Sequence, residues 1–404
     1  MLRMDVTCGV NSKGENKMKK FIAYSATGLL LTVFSSSASA ISQICVSATQ
    51  FGIPQCALNP ATQAACVASI QANHPECFGT TSSTAASSQG IYSTTIQQML
   101  AISTAVGART VTNQNRPGSK AADSGQAFGL AAGNPSAQWN FWGSVNNDKN
   151  KYDRGSYVDA AAAIRNNRYD TNVTNIVVGG DYQLSPTVAG GLSAAFDNSS
   201  GTGESFLAGV SQGIAAQSTN GYTVAPYVGW LINQDWSLDA TLGFGKVKTN
   251  SDGITGKADR LFYGTNVNYV TYNGNWQLTG KGSYLHGEEK SGNLTNGVGA
   301  LMAGTATTNK IDQLRVQAQA GYWMNDNVMP YFGLGYSNDI SRSTTVGAAA
   351  QLGKEIGKNA MVWTAGINFF SIKNSITGGL AYNQETGRTY AKNNNLMGNI
   401  NYRF

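Results

Sequence analysis

The chain has 404 residues, of which 12% are charged; Gly (47) and Tyr (18) are abundant and Pro (8) is scarce. A soluble domain usually carries about 25% charge. The formal net charge of +6 falls to +3 once residues 1–40 are set aside, because that segment holds five basic residues (Arg3, Lys13, Lys17, Lys19, Lys20) and two acidic ones (Asp5, Glu15). No basic cluster with interleaved aromatics remains, which excludes a nucleic-acid partner.

Residues 1–40 read as a leader. From Met18, Lys19 and Lys20 give a positive start, Phe21 to Phe34 is a short apolar stretch, and Ala38-Ser39-Ala40 is a small-residue cleavage pattern. That is a secretory signal peptide cleaved after Ala40, too short to span a bilayer.

Residues 41–78 hold a repeat of the form C-V-x-x-x-Q-x-x-x-P-x-C, from Cys45 to Cys56 and again from Cys66 to Cys77. In an exported segment, four cysteines at this spacing predict two disulfides, and three pairings are open. Zinc ligands would come in closer C-x2–4-C pairs. Residues 79–92 are a flexible polar linker. Within 93–137, Ser93 to Arg109 reads as a helix with Ile96, Met99, Leu100 and Val106 broadly on one side, followed by a loop. It is either an ordinary periplasmic helix or one that threads or plugs a pore.

From Gln138 the period becomes two. Trp139, Phe141 and Val145 share one face; Trp236, Leu238, Ala240, Leu242 and Phe244 oppose Ser237, Asp239 and Thr241; Leu314, Val316, Ala318, Ala320 and Tyr322 oppose Gln313, Arg315, Gln317 and Gln319. Residues 221–232 are apolar on both faces and leave the phase open. Twelve such runs end with Leu396, Gly398, Ile400, Tyr402 and the terminal Phe404. Short turns such as Asn233-Gln234-Asp235, Asn273-Gly274-Asn275 and Asn325-Asp326-Asn327 alternate with long polar stretches near 146–171, 197–220, 246–259, 286–310 and 338–359. A sandwich or solenoid gives no reason for that alternation. It matches an all-β membrane protein: a 12-stranded antiparallel up-and-down outer-membrane β-barrel over 138–404, with short turns in the periplasm and long loops outside.

With the oily face on lipid, the lumen receives Asp181, Asp239, Lys281, Arg315, Gln317, Gln319 and Arg403. The chain reads as a non-enzyme without cofactor. Its two histidines, His74 and His286, lie near no G-x-S-x-G elbow. Gly274 to Gly282 has the wrong spacing for a phosphate loop. No metal constellation appears.

Residues from about 93 onward resemble the translocator domain of autotransporters, the type V secretion proteins. The resemblance rests on the helix Ser93–Arg109, Gly129-Leu130-Ala131-Ala132-Gly133 before Trp139-Asn140-Phe141-Trp142-Gly143, Gly180-Asp181-Tyr182, Ala225-Pro226-Tyr227-Val228-Gly229-Trp230, and Tyr402-Arg403-Phe404. It implies a barrel with a helix through its pore that exports an N-terminal passenger, and a last strand whose Tyr402 and Phe404 are read by the barrel-assembly machinery. It further implies a monomer in contact with outer-membrane lipid and lipopolysaccharide, and periplasmic chaperones on the way there. Family passengers usually run to hundreds of residues, whereas about 50 precede the helix here. Two functions are therefore open: an autotransporter-like barrel that anchors or translocates a very small N-terminal module, or a stand-alone porin-like or structural barrel with a periplasmic disulfide module.

Overall fold

The computed structural model describes residues 98–106, 139–153, 157–158, 164–207, 210–302, 305–346, 356–371 and 376–403. The expectations for the leader, the cysteine repeat and the linker therefore lie outside the described residues.

Twelve long strands form one antiparallel sheet: β1 (Trp139–Asp153), β2 (Ile164–Ser185), β3 (Val188–Leu207), β4 (Val210–Leu231), β5 (Trp236–Ser251), β6 (Ile254–Asn273), β7 (Trp276–Ser291), β8 (Thr307–Tyr322), β9 (Val328–Val346), β10 (Asn359–Ser371), β11 (Ile376–Thr386) and β12 (Ala391–Arg403). Each pairs with its sequence neighbours, and β1 pairs with β12 from Asn140↔Arg403 to Tyr152↔Ala391. The sheet is thus closed. Closure leaves no edge whose backbone groups would face hydrocarbon unpaired, a cost of several kcal/mol per group.

The predicted phase holds. Trp139, Phe141, Leu192, Phe244, Val316, Leu380 and Ile400 point outward, whereas Ser144, Asn175, Thr241, Asn268 and Asn309 are buried on the inner side. At the short-turn rim, outward aromatics pair across strands: Trp139 with Tyr182 (ring centroids 5.0 Å apart), Trp236 with Tyr269 (4.9 Å) and Trp276 with Tyr322 (5.1 Å). A second girdle, including Tyr222, Phe244, Tyr263 and Trp363, lies toward the opposite rim. Just beyond it, on β1–β2, β3–β4 and β9–β10, outward carboxamides bond across strands. Asn147 donates to Asn172 (2.9 Å), Asn198 to Asn220 (2.6 Å) and Asn338 to Asn359.

Side-chain caps hold the short turns. Asn233 Oδ1 accepts from the backbone N–H of Asp235 (2.9 Å) and Trp236 (2.8 Å), and Asn325 Oδ1 from that of Asn327 (2.8 Å). Gly274 sits at φ +60°, a conformation in which a Cβ would be strained.

The long stretches differ from the expectation. Much of each is strand. β3 runs to Leu207 and β4 begins at Val210, while β5 and β6 are separated only by Asp252 and Gly253. Beyond the second girdle both sheet faces are wet, so the oily/polar alternation that marks a strand vanishes although the hydrogen-bond ladder continues. Two of the stretches carry small extra pairings: Leu294–Thr295 with Leu301–Met302, and Tyr157–Val158 with the first residues of β2.

Candidate functional site: the occupied lumen

Residues 98–106 (Gln-Met-Leu-Ala-Ile-Ser-Thr-Ala-Val) form a helix within the barrel; the rest of the predicted Ser93–Arg109 helix lies outside the described residues. Met99, Ile102 and Val106 recur at helical spacing and are fully buried. They pack into one apolar cluster with Trp142 of β1, Val177 of β2, Ala195 of β3, Ala225 and Tyr227 of β4, Phe262 of β6 and Leu285 of β7. These are lumen-facing positions. The lumen is apolar where the helix lies, which explains why residues 221–232 read apolar on both faces.

Two glycines let the helix come close. A Cβ on Gly264 would lie 2.7 Å from Ser103 Oγ, and one on Gly287 would collide with Met99 Sδ.

Polar contacts fix the helix along its axis. Arg260 of β6, wholly buried, bonds Asp197 Oδ1 (3.0 Å) and Glu289 Oε2 (3.3 Å), and its Nη2 also donates to Gln98 Oε1. Farther toward the short-turn rim, Asn266 donates to the carbonyl of Ser103 (3.3 Å) and to Asp239. Residue 98 therefore lies level with residue 260, and residue 103 level with 264–266. β6 ends at the short-turn rim, so the helix descends in the same direction, its N-terminal end toward the far rim.

The helix does not fill the lumen. Leu100, Ala101 and Thr104 face a cavity of about 150 Å³, whose opposite wall includes Asp148, Lys281, Arg315, Gln317, Gln319 and Glu385. Arg315 pairs with Glu385 (3.0 Å), and Arg388 links Glu385 (3.3 Å) to Asp339 (2.9 Å). Gln317 donates to Thr364 (2.8 Å), and Asn395 donates to Asp148 (2.9 Å).

The family model for the autotransporter beta-domain matches residues 141–383. The chain belongs to the autotransporter beta-domain family. Among solved structures it is similar to the translocator domain of autotransporter NalP from Neisseria meningitidis (11% identity, 67% of this chain and 89% of that one, TM-score 0.45). It is also similar to the transport unit of the autotransporter AIDA-I from Escherichia coli (12%, 76% and 99%, 0.46) and to the beta domain of the Bordetella autotransporter BrkA (13%, 66% and 100%, 0.45). No curated protein matches the sequence. This autotransporter barrel is an outer-membrane translocator domain. Such barrels are generally non-enzymatic and generally assembled in the bacterial outer membrane by the barrel-assembly machinery.

In the autotransporter barrel the sequence-singled residues fall into three groups. Lys281, Arg315, Gln317 and Gln319 line the open cavity. Asp239 meets the helix tether through Asn266. Asp181 lies at the short-turn end, where it accepts from Tyr227 Oη (2.8 Å) and Asn140 (3.2 Å), while Trp142 Nε1 donates to that same Tyr227 oxygen (2.7 Å). Three of the resemblance-bearing segments thus meet at one hydrogen-bonded chain. Tyr402 faces outward and Arg403 pairs with Asn140, but Arg403's side chain and Phe404 lie outside the described residues, as do Cys45, Cys56, Cys66 and Cys77. His286 is on the outer face, bonded to Asp312 (2.7 Å). Sequence reasoning missed Phe262, Leu285 and Arg260. Their signal was an apolar or buried charged residue on the wet side of an otherwise alternating strand.

Proposed function

We propose that the barrel translocates and anchors a very small N-terminal module, residues 41–78 with their linker 79–92, and carries it at the cell surface as the continuation of the lumen helix. The polarity of that helix carries the reading. With short turns periplasmic, its N-terminal end points outward and its C-terminal end leads down toward β1 at the periplasmic rim, the path of a chain that has passed outward and stopped. The alternative, a stand-alone barrel with a periplasmic cysteine module, needs residues preceding 98 to turn back through a lumen already occupied.

In this reading the signal peptide leaves after Ala40, the four cysteines form two disulfides, and Tyr402 and Phe404 guide assembly. Asp181, Asp239, Lys281, Arg315, Gln317, Gln319 and Arg403 keep the lumen wet enough for a polar segment to pass. Partners are periplasmic chaperones in transit, then lipid and lipopolysaccharide around a monomer. A protease-cleavable tag inserted at residue 41 tests it: added protease removes the tag from intact cells, whereas protection until the outer membrane is permeabilised would favour the periplasmic alternative.

A further inference from the structure

The outward face of β5 to β8, just beyond the outer aromatic girdle, is lined by charged side chains. On β3–β4 and β9–β10 that level holds paired carboxamides, Asn198 with Asn220 and Asn338 with Asn359, and farther out on β1–β2 stand the exposed ion pairs Lys151–Asp170 and Arg168–Asp153. On β5 to β8 it is ionic. Lys246 follows Phe244 on β5 and pairs with Asp259 at 3.5 Å across exposed surface. On β7 and β8, Lys290 (2.9 Å) and Lys310 (3.5 Å) flank the single carboxylate of Glu288.

One step farther out, Lys248 of β5 and Lys257 of β6 stand directly opposite each other in the ladder, both exposed on the same face. Neither makes an ion pair among the described residues. Like charges at directly opposed positions repel and destabilise a sheet. Elsewhere the same juxtaposition is compensated: Lys151 opposes Lys392 across the β1–β12 seam, but Asp170 holds Lys151 at 2.9 Å. Among the described residues the Lys248–Lys257 pair has no such carboxylate.

We propose that this face seats the phosphates of outer-leaflet lipopolysaccharide, with Lys248 and Lys257 as the central pair and Lys246, Lys290 and Lys310 around them. The inference rests on the outer-membrane placement of the barrel, not on where residues 41–92 end. Three observations converge. The lysines begin where outward apolar side chains stop, so acyl chains can lie along Phe244, Leu261 and Tyr263 while a headgroup meets the ammonium groups. Lys248 is four residues past Phe244, about 13 Å along the strand, a headgroup's height above the hydrocarbon. And a lipid phosphate between Lys248 and Lys257 supplies the anion that no described residue does.

The test uses the full chain purified in neutral detergent, with lipid retention read by native mass spectrometry and the melting temperature by loss of the compact electrophoretic form. The probes are diphosphoryl lipid A, its dephosphorylated form and phosphatidylglycerol. The wild type retains diphosphoryl lipid A and melts higher with it, and does neither with the dephosphorylated form. In the K248Q/K257Q variant, retention falls about tenfold or more, while melting without lipid is no lower than the wild type because a repulsive contact has gone. The Asp259→Asn variant, which removes a competing carboxylate, retains more. Equal retention by K248Q/K257Q, or of dephosphorylated lipid A, overturns the proposal. Retention of phosphatidylglycerol as strong as that of diphosphoryl lipid A overturns the assignment to lipopolysaccharide.

Discussion

Arg260 ties three parts of the structure with one guanidinium. Its arms hold Asp197 of β3 and Glu289 of β7, and it also donates to Gln98 of the helix. All three charges are buried, so removing the cation leaves two carboxylates desolvated and uncompensated. Breaking a buried pair in this way costs about 3–5 kcal/mol, whereas replacing all its members by neutral groups of similar size can be nearly neutral. Arg260→Met is therefore expected to lower the temperature at which the barrel loses its compact electrophoretic form, and the D197N/E289Q/R260M combination to recover most of the loss. A triple variant as labile as Arg260→Met alone would show that the carboxylates are not the source of the cost. Little of this was legible in the sequence. Asp259 closes the stretch read as a long polar loop and Arg260 follows it with no role assigned, yet successive strand residues face opposite ways. Asp259 meets Lys246 at the exposed surface, while Arg260 is wholly buried inside.

At the scale of the element, the helix is held by apolar contact on one side and faces the cavity on the other. Burying Met99, Ile102 and Val106 against a matching wall favours a seated helix, at roughly 1.5–3 kcal/mol per large side chain. Removing residues 41–109 is expected to convert a partly filled lumen into an open one, seen in planar bilayers as a several-fold rise in single-channel conductance. Gly287→Val, which drives a side chain into the seat of Met99, is expected to move conductance in the same direction by less. Unchanged conductance in both would mean that current passes entirely through the existing cavity. The strands themselves were legible because lipid on one side and water on the other impose a period of two. Their full lengths were not, since above the girdle water lies on both sides and Thr202, Ser218 and Asn250 carry no phase. The helix seat was half legible. Ala225 and Tyr227 blurred the alternation of β4, and that blur was the trace of a second apolar surface in the lumen.

At the scale of the whole molecule, everything depends on the first strand finding the last. The β1–β12 ladder joins residues more than 200 positions apart in sequence, and its register brings Ser144 opposite Asn399, both on the inner face. Directly opposed antiparallel residues have Cβ atoms roughly 4.5–5.5 Å apart, close enough for a disulfide after a small adjustment. In a chain with Cys45, Cys56, Cys66 and Cys77 changed to Ser, the S144C/N399C pair is expected to cross-link on mild oxidation. After boiling without reductant it should migrate as a circularised species, and reductant should return it to the linear position. A slip of one residue would turn one of the two side chains onto the lipid face, and an open sheet would separate the pair altogether. Either would leave only linear chain. The S144C/M397C pair tests register against mere proximity: it lies one step along the same inner face and is expected to cross-link far less, so comparable yields from both pairs would mean a seam that slides.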